Sequence, residues 1–337
     1  MTTLTSPHDL LAAVPFLIGY HPENSLVLVA IRNGSVGMAM RVDYQERYEL
    51  DYIDILVGHL VREGADSTLI VAYLPDGSQI KAPFIEDFHR SLEKSSIAVQ
   101  EVLLVCDGRW RQALCLDLAC CPLGGNLLPE ISDSIVTVEQ VFAGRALPFA
   151  DSRDLSKSLH SPSKDKKILE VLENLEGRST ICLDQGDLQR FAQEGARAID
   201  QLLAEFAEKG HSDDKEIIGL VLFNLLDLQV RDYALGMADE ENSKTLLDLW
   251  RWLTSIAPAG YAAPPATLYA ELLYESGSGA LAMKALERAF EDCPDYQLAK
   301  LLRRTFAAGW PPSQFAAMRQ ELHPKICEAI FGEVLKE

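Results

Sequence analysis

The first 120 residues alternate between strand-like and helix-like hydrophobic patterns, and this alternation constrains the fold more than any other feature. Residues 25–31 and 36–42 have strand character and flank Asn33-Gly34, a dipeptide that strongly indicates a two-residue hairpin. Residues 46–63 then carry apolar side chains at helical spacing. The next run, 68–74 (TLIVAYL), is continuously apolar, as expected of a strand that is buried on both faces.

The same alternation continues up to a second hairpin. A helical segment at 84–92 leads into a strand at 99–106, and Asp107-Gly108 predicts a hairpin that returns through 109–116. Strands that are joined through helices within one sheet are connected by right-handed parallel crossovers. This part of the chain is therefore predicted to be an α/β domain, with a mixed sheet of about five strands and helices packed on it.

Beyond this region the apolar patterns are helical. The polar segment 151–167 contains few apolar residues and a Ser-Pro, and we interpret it as a linker between two domains. The predicted organisation is an α/β domain at 1–150 and an all-helical domain at 151–337. Two domains also suit the length of the chain.

One stretch of the helical region, 264–296, resembles a single tetratricopeptide-type repeat. Ala270 fits the small residue of its first helix, Ala282 and Ala289 fit those of its second helix, and Pro294 fits the closing proline. Small residues at these positions let paired helices approach closely. Since a single repeat cannot bury its own apolar face, we expect other helices to complete the stack.

The charge and hydropathy of the chain exclude several classes of partner. With 31 basic and 50 acidic residues, the net charge of -19 opposes binding to phosphate backbones and to anionic membrane surfaces. No apolar run is long enough to span a bilayer, and the apolar residues 10–20 lack a preceding basic region and contain Pro15. We therefore expect a cytoplasmic protein that binds a protein, a small molecule or both, and neither nucleic acid nor membrane.

The most unusual local feature is a group of three cysteines after the second hairpin, Cys115, Cys120 and Cys121. Thiolates in a loop can hold zinc, although structural zinc sites use four ligands. We do not expect Cys106 to join them, because a hairpin directly after it would leave it roughly 20 Å from Cys115, at about 3.3 Å per residue. Three interpretations stay open: packing groups, the commonest role of such cysteines; a metal site with zinc as the candidate ion; and a redox-active or nucleophilic thiol.

A second candidate site follows from the predicted sheet. In open α/β sheets, ligands bind beyond the carboxyl ends of the parallel strands. Those ends carry Asp43 and Asp107, Arg109 opens the next strand there, and His21 precedes the first strand on the same side. His21 as general acid or base, with Arg109 holding an anionic group, would suit a small-molecule enzyme, and the cysteines would lie at the opposite edge. The alternative is that these are ordinary polar residues of turns.

Several segments taken together carry a family resemblance. They are LLAAVPFLIGYHP at 10–22 with Ser25-Leu26-Val27, Arg41-Val42-Asp43, Gly108-Arg109-Trp110, 115–122, Ala143-Gly144-Arg145, Ser152-Arg153 and Pro294-Asp295-Tyr296. Together they resemble the DUF4192 family over nearly the whole chain. The resemblance implies a cytoplasmic actinobacterial protein of unknown function and supplies no catalytic residues. The family pattern has a proline and a glutamate after the cysteine pair, whereas Leu123-Gly124 stands here, so no side chain at that point is assigned a chemical role.

Three hypotheses on function follow from these features. The first is a non-enzymatic binding or scaffold protein whose helical domain engages a protein partner. The second is a small-molecule enzyme that uses His21, Asp43, Asp107 and Arg109. The third is a metal or thiol site at the three cysteines. No Walker A, H-E-x-x-H, C-x-x-C or G-x-S-x-G motif occurs, so whether the chain is an enzyme stays open.

Overall fold

The chain divides into two compact units. The computed structural model describes residues 6–128, 130, 134–143, 145–160, 165–179 and 185–332. The first unit comprises Met1–Leu155 together with Gly277–Leu281, and the second comprises Ser156–Ser276 together with Ala282–Glu337. Gly144 of the family-like segments and 161–164 of the expected linker lie outside the described residues.

A mixed sheet lies at the heart of the first unit. The described strands are β1 (Ser25–Arg32), β2 (Ser35–Asp43), β3 (Ser67–Tyr73), β4 (Ala98–Cys106), β5 (Arg109–Gln112) and β6 (Asn126–Leu127). They are ordered β2-β1-β3-β4-β5-β6, with β3 and β4 parallel and all other neighbours antiparallel. The predicted mixed sheet is confirmed. It gains a sixth strand, β6, which is only two residues long and follows a glycine pair, so it has no strand-like pattern of its own.

Both predicted hairpins are present, and left-handed backbone makes them possible. Asn33 and Gly34 have φ values of 51° and 73°, and Asp107 and Gly108 have 49° and 68°. Two successive residues with positive φ form the two-residue turn whose twist matches that of antiparallel strands. Asparagine, aspartate and glycine tolerate this conformation better than other residues do.

Helices make up most of the rest of the chain. Those of the described residues are α1 (Pro7–Ile18), α2 (Leu50–Arg62), α3 (Ile85–Lys94), α4 (Ile135–Phe142), α5 (Ser152–Ser158), α6 (Lys166–Ser179), α7 (Gln185–Lys209), α8 (Lys215–Asn224), α9 (Leu228–Gly236), α10 (Ser243–Ile256), α11 (Ala263–Glu275), α12 (Gly279–Asp292), α13 (Gln297–Ala307) and α14 (Pro312–Phe331). None of the described helices combines the length and apolar character needed to cross a bilayer.

The central strand β1 is buried on both faces of the sheet. Leu26 and Leu28 belong to the core cluster that includes α2 and α3, whereas Val27 and Val29 belong to the cluster that includes α1. This division follows from the alternation of side chains along a strand. It explains why β1 and β3 are continuously apolar in sequence.

Helix α1 is longer than the sequence suggests. The Oγ of Ser6 accepts a hydrogen bond from the N–H of Asp9, and Pro7 opens the helix, as predicted. The helix does not stop near Val14 but passes through Pro15 and ends at Gly19, whose φ is 86°. The missing N–H of the proline is tolerated because the apolar side chains of this helix are buried in the core beside the sheet.

The described part of the second unit is helical, in agreement with the predicted all-helical region. Helices α11 and α12 fall within the stretch that resembles a tetratricopeptide-type repeat, but α11 packs mainly against α10. The likeness to such a repeat stays a prediction. Within the expected linker, residues 152–158 form the short helix α5, and Leu155 is buried in the core of the first unit.

Three ionisable side chains meet inside the helical unit. Glu271, which is 1% exposed, lies on α11 one turn before Glu275, and Arg319 of α14 lies against both carboxylates. The Nε of Arg319 is 3.2 Å from Oε1 of Glu271, but its N–H donates to Glu275 at 3.0 Å, so Oε1 of Glu271 accepts no hydrogen bond in the described structure. Burial, followed by the neighbouring Glu275, raises the pKa of Glu271 well above its usual value.

Candidate metal centre

The chain leaves the sheet earlier than predicted at the strand that precedes the three cysteines. We expected a strand over 109–116, but β5 ends at Gln112. The side-chain oxygen of Gln112 accepts the N–H of Leu114, and this local bond turns the chain out of the ladder. As a result, Cys115 lies in a loop that runs from residue 113 to 125 and not at the far end of a long strand.

Hydrogen bonds that do not involve the thiols hold the loop in shape. The N–H of Cys121 donates to the carbonyl of Asp117 at 2.8 Å, which forms one helical turn. The Oδ1 of Asp117 accepts the N–H of Ala119 at 2.8 Å, and the side-chain amide of Asn126 donates to the carbonyl of Cys120 at 3.0 Å. The backbone therefore sets the positions of the three cysteines, which form no disulfide with one another.

The sulfur atoms of Cys115, Cys120 and Cys121 all lie within 4.8 Å of one another. Those of Cys120 and Cys121 are 3.8 Å apart. With zinc–sulfur bonds of about 2.3 Å and tetrahedral angles, two thiolates on one ion lie about 3.8 Å apart. The cluster is thus close to the arrangement that a tetrahedral ion requires, and small side-chain rotations would complete it.

The three thiols differ in their contact with solvent. Cys121 is buried, Cys115 is half-buried and Cys120 is exposed. Burial raises the pKa of Cys121 to about 11, and hydrogen bonding to the thiol of Cys115 adds to this shift. Cys121 is therefore a protonated thiol at neutral pH in the absence of a metal, and a metal ion would have to displace that proton.

Cys106 lies elsewhere in the first unit. It pairs with Arg109 across the second hairpin, and its thiol contacts the carbonyl oxygens of Pro75 at 3.5 Å and Ser78 at 3.6 Å. It is 3% exposed and belongs to the core cluster on the α2 and α3 side of the sheet. A buried thiol with backbone partners is a packing group.

The cysteine cluster is not at the sheet edge opposite His21, where we expected it. The N–H of Cys115 donates to the carbonyl of Gln112 at 3.4 Å, and Gln112 pairs with Leu103, well inside β4. The shift follows from the early end of β5. A strand of four residues cannot carry the chain across the sheet at about 3.3 Å per residue.

The register places the other candidate residues along one edge of the sheet. Ser25, the first residue of β1, pairs with Asp43 at the end of β2 and with Tyr73 at the end of β3, and Tyr73 pairs with Val105 near the end of β4. His21, Asp43, Asp107 and Arg109 therefore lie at or next to the same edge. We refer to these four residues as the sheet-edge group.

Two members of the sheet-edge group bond to neighbouring turns. The carboxylate of Asp107 accepts the N–H of Gly77 with both oxygens, at 3.1 and 3.3 Å, and so joins the turns after β3 and β4. Arg109 donates from Nη1 to the carbonyl of Gly125 at 3.0 Å and thereby ties the cysteine loop to β5. Both contacts are of the kind that holds loops in place.

Asp43 has a partner that the sequence reasoning missed. Arg41 lies two residues earlier on the same face of β2, and its Nη1 is 2.6 Å from Oδ1 of Asp43. The Nε of Arg41 also donates to Oγ of Ser25 at 2.7 Å. The spacing of two residues along a strand was the signal that could have found this pair.

His21 is held by its backbone. Its N–H donates to the carbonyl of Phe149 at 3.0 Å, and burial lowers the pKa of its ring, so the neutral imidazole prevails at neutral pH. In the described part of the chain, the hydrogen bonds and ion pairs of Asp43, Asp107 and Arg109 do not involve His21. The four residues therefore lie at one sheet edge, but the described hydrogen bonds and ion pairs do not connect them into a proton relay.

Comparison with known proteins identifies the family of the chain but does not indicate an activity. No curated protein and no solved structure matches the chain. The family described as "Domain of unknown function (DUF4192)" matches residues 7–313, a range that contains the sheet, the cysteine loop and α6 to α13. Because the match spans most of the chain, the protein belongs to the DUF4192 family.

Proposed function

We propose that this protein binds a soft divalent metal ion, with Zn²⁺ as the best candidate, through the thiolates of Cys115, Cys120 and Cys121. The observation that carries the proposal is the convergence of their three sulfur atoms within 4.8 Å. Sulfur ligands favour zinc and other soft ions over magnesium or calcium, which prefer oxygen.

The solvent exposure of Cys120 favours a metal site over a role in packing alone. A cysteine that only fills space is normally buried, as Cys106 is. Cys120 is instead exposed, and it lies beside one half-buried and one buried thiol. A rise of the pKa of Cys121 to about 11 also argues against a reactive thiolate in the metal-free protein, because reactive cysteines have lowered pKa values.

Elemental mass spectrometry on protein purified without tags or chelators tests the proposal. We expect close to one zinc ion per chain in the wild type and a large loss in Cys120→Ser. Cys293→Ser is the matched control, because Cys293 lies at the end of α12, outside the cluster, and we expect it to keep the metal. A wild-type protein that stays metal-free after incubation with zinc, or a Cys120→Ser variant with unchanged zinc content, would overturn the proposal.

The other two hypotheses stay predictions. Binding of a protein partner by the helical unit is compatible with its fold but is not tied to a specific surface. The contacts of the sheet-edge group weaken the case for a small-molecule enzyme at this site. Asp107 and Arg109 already bond to backbone groups of neighbouring turns, and Asp43 is paired with Arg41.

A further inference from the structure

The cysteine loop offers three ligands to a metal ion and no fourth. Among the described residues, the group of possible ligands contains only Cys115, Cys120 and Cys121. Asp117 is the single charged side chain between residues 113 and 128, and no histidine occurs there. The carboxylate of Asp117 already accepts the N–H of Ala119 and so caps the loop. A tetrahedral ion held here keeps one position that the described residues do not fill.

The cysteine loop is accessible to solvent and carries exposed apolar side chains. Cys120 is the exposed member of the cluster. The leucines of the loop are also exposed: Leu116 is 92% exposed, Leu118 57% and Leu123 69%. Exposed apolar side chains on this scale provide contacts for the organic part of a ligand.

We propose that the fourth ligand of this metal is the sulfur of a small thiol compound that comes from solution; this inference rests on the metal site proposed above. On binding, the sulfur–hydrogen bond of the thiol breaks and a sulfur–metal bond forms. The proton goes to bulk water, the water molecule that held the position leaves, and no electrons are transferred. Zinc sites with four thiolates are stable, so a fourth sulfur is chemically suitable.

A metal-bound water that acts as a nucleophile fits the loop less well. Such a water needs a nearby base or acid to move its proton. Zinc sites that activate water through cysteine ligands place a glutamate beside the ion for this purpose. Within 113–128 the only carboxylate is the loop cap Asp117. An ion held by three thiolates is also a weaker Lewis acid than one held by neutral imidazoles, because the thiolates already donate charge to it.

Cobalt substitution of the full-length protein provides the test. Co²⁺ replaces Zn²⁺ in tetrahedral sites, and each cobalt–thiolate bond adds a charge-transfer absorption. We would titrate the cobalt-loaded protein with 2-mercaptoethanol and, in parallel, with ethylene glycol, which has a hydroxyl group in place of the thiol. The cobalt that stays on the protein would be measured after gel filtration at each point.

The expected result is a saturable increase in the charge-transfer band with 2-mercaptoethanol, by about one third as three cobalt–sulfur bonds become four. Ethylene glycol should have no effect, and cobalt should stay bound. Cobalt that binds but does not respond to the thiol would overturn this inference and leave the metal site standing, as would removal of cobalt by the thiol. Failure to bind cobalt at all would overturn the metal site itself.

Discussion

The Sγ atoms of Cys120 and Cys121 are 3.8 Å apart although the two residues are neighbours in sequence. Side chains of adjacent residues in an extended strand point to opposite faces. Here the helical turn closed by Cys121 N–H and the carbonyl of Asp117 brings both thiols to the same side, where Cys115 joins them. The loop backbone therefore brings the three thiols together on one side of the loop, as ligands that share one ion require.

Zinc should stabilise the first unit against unfolding. An ion that binds only the folded protein adds about 2.7 kcal/mol when its free concentration is 100 times the Kd. We expect differential scanning calorimetry to show a higher melting temperature with zinc and no change with Mg²⁺, which prefers oxygen ligands. Cys115→Ser should abolish the zinc effect and Cys293→Ser should not. Equal stabilisation of both variants by zinc would mean that the ion binds elsewhere.

Asp107 should be important for stability because it combines a left-handed backbone with a hydrogen bond to the next turn. Asp107→Ala loses the contacts with the N–H of Gly77 and places a residue ill-suited to a φ of 49°. We expect a loss of about 1–3 kcal/mol in urea unfolding. Asp107→Asn retains a side-chain oxygen and tolerates positive φ, so it should lose much less. An Asn variant as unstable as the Ala variant would contradict this explanation.

Gly195 should be required for the packing of α7, although alanine favours helices. A Cβ at this position would lie 2.8 Å from Cβ of Asn224 and 2.9 Å from Cγ2 of Val230. Gly195→Ala should therefore lower the free energy of unfolding by about 1–3 kcal/mol. Gly177→Ala in α6 is the control, since a Cβ there meets no atom of the described residues within 4 Å outside its own helix backbone, and it should gain up to about 1 kcal/mol. Chemical denaturation of both variants decides between packing and helix propensity.

The buried carboxyl of Glu271 should make the helical unit less stable as pH rises. Its folded-state pKa is raised well above 4.5, so the folded protein binds more protons than the unfolded chain between these two values. The contribution of Glu271 to the free energy of unfolding is fully present below about pH 4.5. It is lost as the pH rises through the raised pKa of the folded state. In Glu271→Gln this pH dependence disappears.

The measurement for Glu271 is thermal unfolding of both proteins over a series of pH values. We expect Glu271→Gln to gain stability relative to the wild type as pH rises above about 4.5. The exposed Glu287→Gln on α12 serves as the control and should follow the wild type. A difference between Glu271→Gln and the wild type that stays constant with pH would show that the carboxyl of Glu271 ionises normally.

Much of the sheet could be predicted from the sequence because its signals are local. Asn33-Gly34 and Asp107-Gly108 specify their turns through residues that accept positive φ, and the run at 68–74 shows a strand buried on both faces. The direction of each strand then placed Asp43 and Asp107 at the same edge. These features depend on few long-range contacts.

The remaining features depend on interactions that no local pattern reveals. Helix α1 continues through Pro15 because tertiary burial outweighs the missing hydrogen bond. The end of β5 depends on one side-chain contact of Gln112, and β6 is too short to show a period. The spacing of the cysteines suggested a cluster, but whether their sulfur atoms meet depends on how the loop closes between Asp117 and Asn126.

X-ray absorption spectroscopy at the zinc edge tests the central claim most directly, because it reports the atoms bound to the ion. For the zinc-loaded wild type we predict a shell of at least three sulfur atoms at about 2.3 Å, and loss of sulfur from that shell in Cys120→Ser. A wild-type shell made only of nitrogen and oxygen atoms at about 2.0–2.2 Å would contradict the account, because the three thiols would then not be the ligands.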